Sequence, residues 1–151
     1  DKLNESLRAN ANINSEVIKL SAGIIYFYGV LTIRELSNIL KEEYNFDVEY
    51  EKIKKLLLIG EEVGFDYQID GDIIYHIDVE DHLFIIEERN KNIDISFAKF
   101  DKKTLFKSAK PDYIEENKQA IKLEKVLNEL FVIDKNILKE EIDSFSIAIK
   151  N

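Results

Sequence analysis

At 151 residues, 45% hydrophobic and 11% aromatic, the chain has room for one ordinary domain or two small ones with a packed core. It has no Cys, which excludes disulfides, thiol catalysis and thiolate metal sites and suits a reducing compartment, so the cytoplasm is the expected location. The net charge of −9 sits in the first half, with 8 basic and 17 acidic residues in 1–82 against 13 and 13 in 83–151. Such a surface repels phosphate and favours protein partners over nucleic acid.

Residues 1–14 are polar and Asn-rich and read as a lead-in, either frayed or a loosely attached helix. With Asp1 first and no Met anywhere, the sequence reads as a trimmed stretch from which a signal peptide could have been removed. From Ser15, which can cap, the residues Val17, Leu20, Ile24, Phe27 and Leu31 recur at helical spacing; Glu16 suits the positive helix end and Gly29 offers a stop. This most apolar stretch is broken by Lys19, Ser21 and Gly23 and is shorter than the roughly 20 apolar residues a bilayer requires, so no membrane helix is expected. Thr32 and Glu35 have the spacing of a capping box, opening a second helix that buries Leu36, Ile39 and Leu40. Asp47 is then placed to cap a third helix with Tyr50, Ile53, Leu57 and Val63 inward, ending within 60–64.

The period next changes from 3.6 to 2. Phe65, Tyr67 and Ile69 alternate with Asp66, Gln68 and Asp70, and Ile73, Tyr75, Ile77 and Val79 alternate with Ile74, His76, Asp78 and Glu80. A turn of three residues, Asp70-Gly71-Asp72, would pair Ile69 with Ile73 and Tyr67 with Tyr75 and place the apolar sets on one face. Three helices followed by a hairpin is the winged-helix order, although the usual small strand between the first two helices is not evident. Residues 15–82 therefore read as a winged-helix-like, helix-turn-helix unit, and 83–151 as a helical region packed on it. The fold class is mainly α with a small β-hairpin (α+β).

In the second part, helices are expected over 81–91 and 102–108, joined through Ile93, Asp94, Ile95, Ser96 and Phe97. Pro111 begins or precedes a helical region over 112–131 with Ile121, Leu127 and Leu130 among its apolar residues. A last helix from Asp134 would bury Leu138, Ile142, Phe145 and Ile149. An apolar stripe left exposed on it would point to a missing downstream domain or to a dimer contact.

The constellation most suggestive of chemistry is His76, Asp78, Glu80 and His82, two imidazoles and two carboxylates at alternate positions that could ligate a divalent metal. Same-face neighbours on a strand lie about 6.5 to 7 Å apart, so four in a row reach one ion only if the strand ends or bends. The other readings are a solvated strand face running into an acidic helix start, or a histidine switch raised by carboxylates. Asp70-Gly71-Asp72 lacks the continuation of a calcium loop, because a strand follows. No G-x-S-x-G elbow, P-loop or G-x-G-x-x-G is present, and no acid and base pair can be nominated, so neither an enzyme nor a cofactor is expected.

The winged-helix order raises nucleic-acid binding, for which Lys52, Lys54 and Lys55 on the third helix and Arg34 on the second would meet phosphate. Against them stand Glu49, Glu51, Glu61 and Glu62, and the span 65–82 holds six acidic residues and no Lys or Arg. A second basic stretch, Lys99, Lys102, Lys103, Lys107 and Lys110 interleaved with Phe97, Phe100 and Phe106, reads as a solvated helix flank with core Phe residues. It could also dock on the acidic hairpin or on a partner.

The segments 28–36 (Tyr-Gly-Val-Leu-Thr-Ile-Arg-Glu-Leu) and 67–76 (Tyr-Gln-Ile-Asp-Gly-Asp-Ile-Ile-Tyr-His) resemble the N-terminal, winged-helix-like region of poorly characterised bacterial proteins, some of which end in a SEC-C zinc motif. The resemblance covers roughly the first 80 to 90 residues. It implies an adaptor or regulatory role and carries over no metal site, since the motif depends on Cys. The expectation is a non-enzymatic protein-interaction or regulatory domain with a protein partner or self-association; the alternative is a winged-helix nucleic-acid-binding transcriptional regulator.

Overall fold

A computed structural model of the chain describes residues 2–91, 97–111, 113–115, 118–131 and 134–150, with the backbone course alone at 2, 3 and 147–150. Ile93 to Ser96 of the expected connection, Asp112 and the side chain of Ile149 lie outside the described residues. The fold is mainly helical with a small antiparallel sheet, as the patterning predicts, and the sheet has three strands where a two-stranded hairpin is expected. The chain divides into two compact units, Asp1–Asp112 and Tyr113–Asn151.

The first helix, α1 (Lys2–Tyr28), runs 27 residues, or roughly 40 Å at 1.5 Å per residue. The segment 1–14 read as a lead-in is thus mostly the exposed first half of this helix. Its second half buries Val17, Leu20, Ile24 and Ile25 completely. Ser21 is buried among them without cost to its hydroxyl, which donates to the Val17 carbonyl at 2.8 Å. Gly29, at φ +71°, ends the helix in the left-handed conformation that Gly adopts most easily.

Immediately after it comes β1 (Val30–Thr32), the small strand that the sequence did not reveal. Three residues are too few to show a period of two, and they sit between a helix stop and a cap. Thr32 then starts α2 (Ile33–Tyr44) with a complete capping box: the Glu35 N–H donates to Thr32 Oγ1 at 3.1 Å, and the Thr32 N–H donates to the Glu35 carboxylate at 2.7 Å. The helix ends at Asn45, held at φ 61°. Asp47 does not cap α3 (Tyr50–Glu62); Glu49 occupies that position without a side-chain bond, and Asp47 instead pairs with Lys41 at 3.0 Å. Ile53, Leu56, Leu57 and Gly60 face inward, while Val63, expected inside, is 66% exposed.

The hairpin strands are β2 (Tyr67–Asp70) and β3 (Ile73–His76), and the sheet order is β1-β3-β2. Asp70 pairs with Ile73, Ile69 with Ile74 and Tyr67 with His76, so the register is one residue away from the expected one. The loop is two residues, Gly71-Asp72, with Gly71 at φ +60° in the first position, where a tight hairpin turn of this kind places Gly. Because side chains alternate faces, the slip reverses β3: Ile74 is fully buried beside Tyr67, and Ile73 and Tyr75 share the outer face with Gln68.

α4 (His82–Lys91) and α5 (Lys102–Ser108) complete the first unit. Asp81 and Asp101 bond the backbone N–H of Phe84 and Thr104 at 2.9 and 3.0 Å and start these helices. α5 lies so close to α1 that a Cβ on Gly23 would sit 2.2 Å from the Leu105 carbonyl oxygen, and Leu105 is fully buried. That contact lies within the first compact unit, which runs to Asp112. From α4, the Arg89 guanidinium donates to the Val30 and Tyr28 carbonyls at 2.6 and 3.3 Å, along the side of β1 that faces away from β3.

The second unit contains α6 (Lys118–Leu130) and α7 (Lys135–Lys150), which pack on each other. Asp134 caps α7 through the Asn136 N–H at 2.9 Å. Leu138 and Ile142 are buried as expected, whereas Phe145 is 58% exposed.

Candidate functional site

Residues 56–59 read Leu-Leu-Leu-Ile, and four consecutive positions sweep about 300° around a helix, so they cannot all face one core. Leu56 and Leu57 turn inward against α1 and α2, and Leu58 and Ile59 turn outward, each about half exposed. With Val63 they form an apolar continuation of the outward side of α3, flanked by Glu62 and preceded by Glu51, Lys52 and Lys55, all exposed. Sequence reasoning assigned this helix its inner face and its lysines but overlooked the outward Leu58 and Ile59; the unbroken apolar run was the signal.

The four proposed phosphate contacts are not equivalent. Arg34, Lys52 and Lys55 are exposed. Lys54 is committed: its ammonium lies 2.9 Å from the Asp72 carboxylate at the hairpin tip, and the Tyr50 hydroxyl donates to the same oxygen at 2.7 Å. These two bonds hold the Asp72 carboxyl below its ordinary range, and the Lys54 bond in turn raises that ammonium. The Ile33 N–H also donates to the Asp72 carbonyl at 2.8 Å. The hairpin tip is therefore drawn down onto the starts of α2 and α3.

His76, Asp78, Glu80 and His82 do not come together. His76 pairs with Tyr67 on the core face, where its ring meets Tyr26 edge-on at 5.6 Å and its Nδ1 lies 3.4 Å from Asp78. His82 is on the other side of the sheet, stacked on Tyr75 at 4.0 Å and 3.2 Å from Asp70. Glu80 is exposed. Among the described residues, no three His, Cys, Asp or Glu side chains are grouped as a metal site. The two buried serines, Ser21 and Ser108, each donate to the backbone of their own helix.

The basic stretch docks within the first unit, on α1 and α2 rather than on the hairpin. Lys99 reaches Glu43 at 2.7 Å, and Lys102 reaches Glu16 at 2.9 Å while lying 4.8 Å over the Phe46 ring. Phe100 stacks on Phe27 at 4.1 Å, and Phe97 meets Tyr28 edge-on. The Tyr28 and Tyr44 hydroxyls donate to the carbonyls of Ala98 and Phe100. Burial first, then the neighbouring Tyr44 and Glu43, push the Tyr28 hydroxyl up to about 12, so it stays a donor through the neutral range.

No helix among the described residues is long and apolar enough to cross a membrane. No protein-family model matches the chain, and no curated protein or solved structure matches it.

Proposed function

We propose that this chain is a non-enzymatic protein-interaction or regulatory domain, working in the bacterial cytoplasm, whose winged-helix-like first unit presents the outward side of α3 to a partner protein. The observation that carries this reading is the composition of that side: Leu58, Ile59 and Val63 stand exposed where a nucleic-acid reader would show cationic or hydrogen-bonding side chains. The hairpin region adds repulsion toward phosphate, since the span 65–82 holds six acidic residues and no Lys or Arg. Apolar residues rimmed by charge are the composition of a protein interface.

The test compares capture of partners from a bacterial lysate by the immobilised chain and by two variants. Leu58→Glu with Ile59→Glu should abolish capture, while Lys52→Glu with Lys55→Glu should leave most of it. Equal capture by all three would remove α3 as the docking surface. The alternative, a winged-helix nucleic-acid-binding regulator, is favoured by the strand order β1-β3-β2 and by exposed Arg34, Lys52 and Lys55. It expects a low-salt duplex DNA shift that the lysine variant loses and the Leu58 and Ile59 variant keeps.

A further inference from the structure

The hairpin tip carries an anion of its own into a cluster of donors. Asp72 Oδ1 accepts from the Tyr50 hydroxyl at 2.7 Å and from the Lys54 ammonium at 2.9 Å, bonds that span 22 and 18 residues of chain. Arg34, exposed in the first turn of α2, adds a cation whose field reaches the same carboxylate, and Glu51 opposes the set from beside Lys54. A hydroxyl, an ammonium and a guanidinium around one point are the donors that hold a phosphate. The place of the tip does not depend on that carboxylate. The Ile33 N–H holds the Asp72 carbonyl at 2.8 Å, Ile73 pairs with both Thr32 and Asp70, and Gly71 makes the turn. The Asp72 side chain is 71% exposed and that of Lys54 is 33% exposed, so the carboxylate can rotate into solvent and yield its place to an incoming anion while both strands stay put.

The resident carboxylate also decides which anion can enter. Being part of the chain, it competes at high effective concentration, and an anion of one charge gains little by replacing it. A phosphodiester is such an anion. A phosphomonoester carries about −1.5 to −2 charges at pH 7 and three acceptor oxygens, enough to engage Tyr50, Lys54 and Arg34 together where a single carboxylate oxygen serves two of them.

We propose that Tyr50, Lys54 and Arg34 form a phosphomonoester site that the Asp72 carboxylate guards against weaker anions. The test titrates the full chain with methyl phosphate and, separately, with dimethyl phosphate, following amide shifts by nuclear magnetic resonance. Methyl phosphate should bind and dimethyl phosphate should not. Affinity should fall below about pH 6, where the monoester loses its second charge while Asp72 keeps its own. Asp72→Ala, and Asp72→Asn with it, should tighten methyl phosphate binding at least about fivefold, because the competing charge is gone. Lys54→Ala added to Asp72→Ala should remove the binding, and Lys52→Ala should leave it. A blocked phosphoserine bound more tightly than methyl phosphate would support the site and identify its ligand as a phosphorylated side chain; equal binding would support it as a site for small phosphomonoesters. The proposal is overturned if methyl phosphate fails to bind the unaltered chain, if neither Asp72 variant binds it more tightly, or if binding survives the loss of Lys54. Dimethyl phosphate bound as tightly as methyl phosphate overturns it as well.

Discussion

Helices α3 and α6 are both 13 residues long, and α6 is the more amphipathic of the two, yet α3 buries four residues and α6 none. The difference lies in the company each keeps. α3 is packed against α1, α2 and β2, and its inner positions fall into a space already walled on several sides. α6 is packed against α7 alone within its unit, so most of its apolar stripe meets no surface there. An amphipathic pattern states which side of a helix is to be covered; the number of surrounding elements decides whether it is.

That contrast can be broken by truncation. Leu57→Ala, which empties a fully buried position, should cost about 2 to 5 kcal/mol in denaturant unfolding of the first unit, whereas Leu130→Ala should leave that transition where it was. Equal losses would mean that the two units unfold as one. Gly23→Ala asks how tightly α5 is held. A helix gains about 1 kcal/mol when Ala replaces Gly, but the new methyl meets the Leu105 backbone at 2.2 Å. Overpacking of about 1 to 3 kcal/mol should dominate, giving a net loss of stability and faster hydrogen exchange in α5. A stabilised variant would show that α5 can move away without loss.

Thr32→Ala removes the capping box and should cost about 0.5 to 2 kcal/mol, seen as a lower denaturation midpoint with an unchanged slope. The smallest effect is expected from Asp72→Asn at the hairpin tip. The Asp72 carboxyl is depressed in the folded state, so the stability it contributes is present above the unfolded carboxylate value of about 3.9 and is lost as pH falls through its folded value. The gap between the unaltered protein and the variant should therefore narrow on acidification; a gap independent of pH would indicate that the carboxylate is not the source.

Much of this architecture was legible in the sequence where a local chemical signal marks an element. Thr32 with Glu35 located α2, and α5 runs from Lys102 to Ser108 as its pattern indicates, behind a capping Asp101. The hairpin's position was legible too, but its register was not. Asp70, Gly71 and Asp72 all suit a turn, and the choice between a loop of two and of three residues rests on how β3 meets β1, a contact between residues 30–32 and 73–75 that no local pattern encodes. The metal reading of His76 to His82 needed the chain to bend so as to gather alternate residues; β3 instead ends at His76, and the two rings lie on opposite faces of the sheet. The outward side of α3 was only half legible: Lys52 and Lys55 are marked by their charge, but Leu58 and Ile59 sit in an unbroken apolar run that does not itself show which members face out.

The Arg89 guanidinium also does something for the molecules around it. A border strand with open carbonyls is an invitation to any passing extended chain, and Arg89 occupies the Tyr28 and Val30 oxygens on that border. A crowded solution of this protein should therefore resist the ribbon-like growth that begins by adding one backbone alongside β1, and Arg89→Ala would remove that safeguard together with the guanidinium that lies over Phe97.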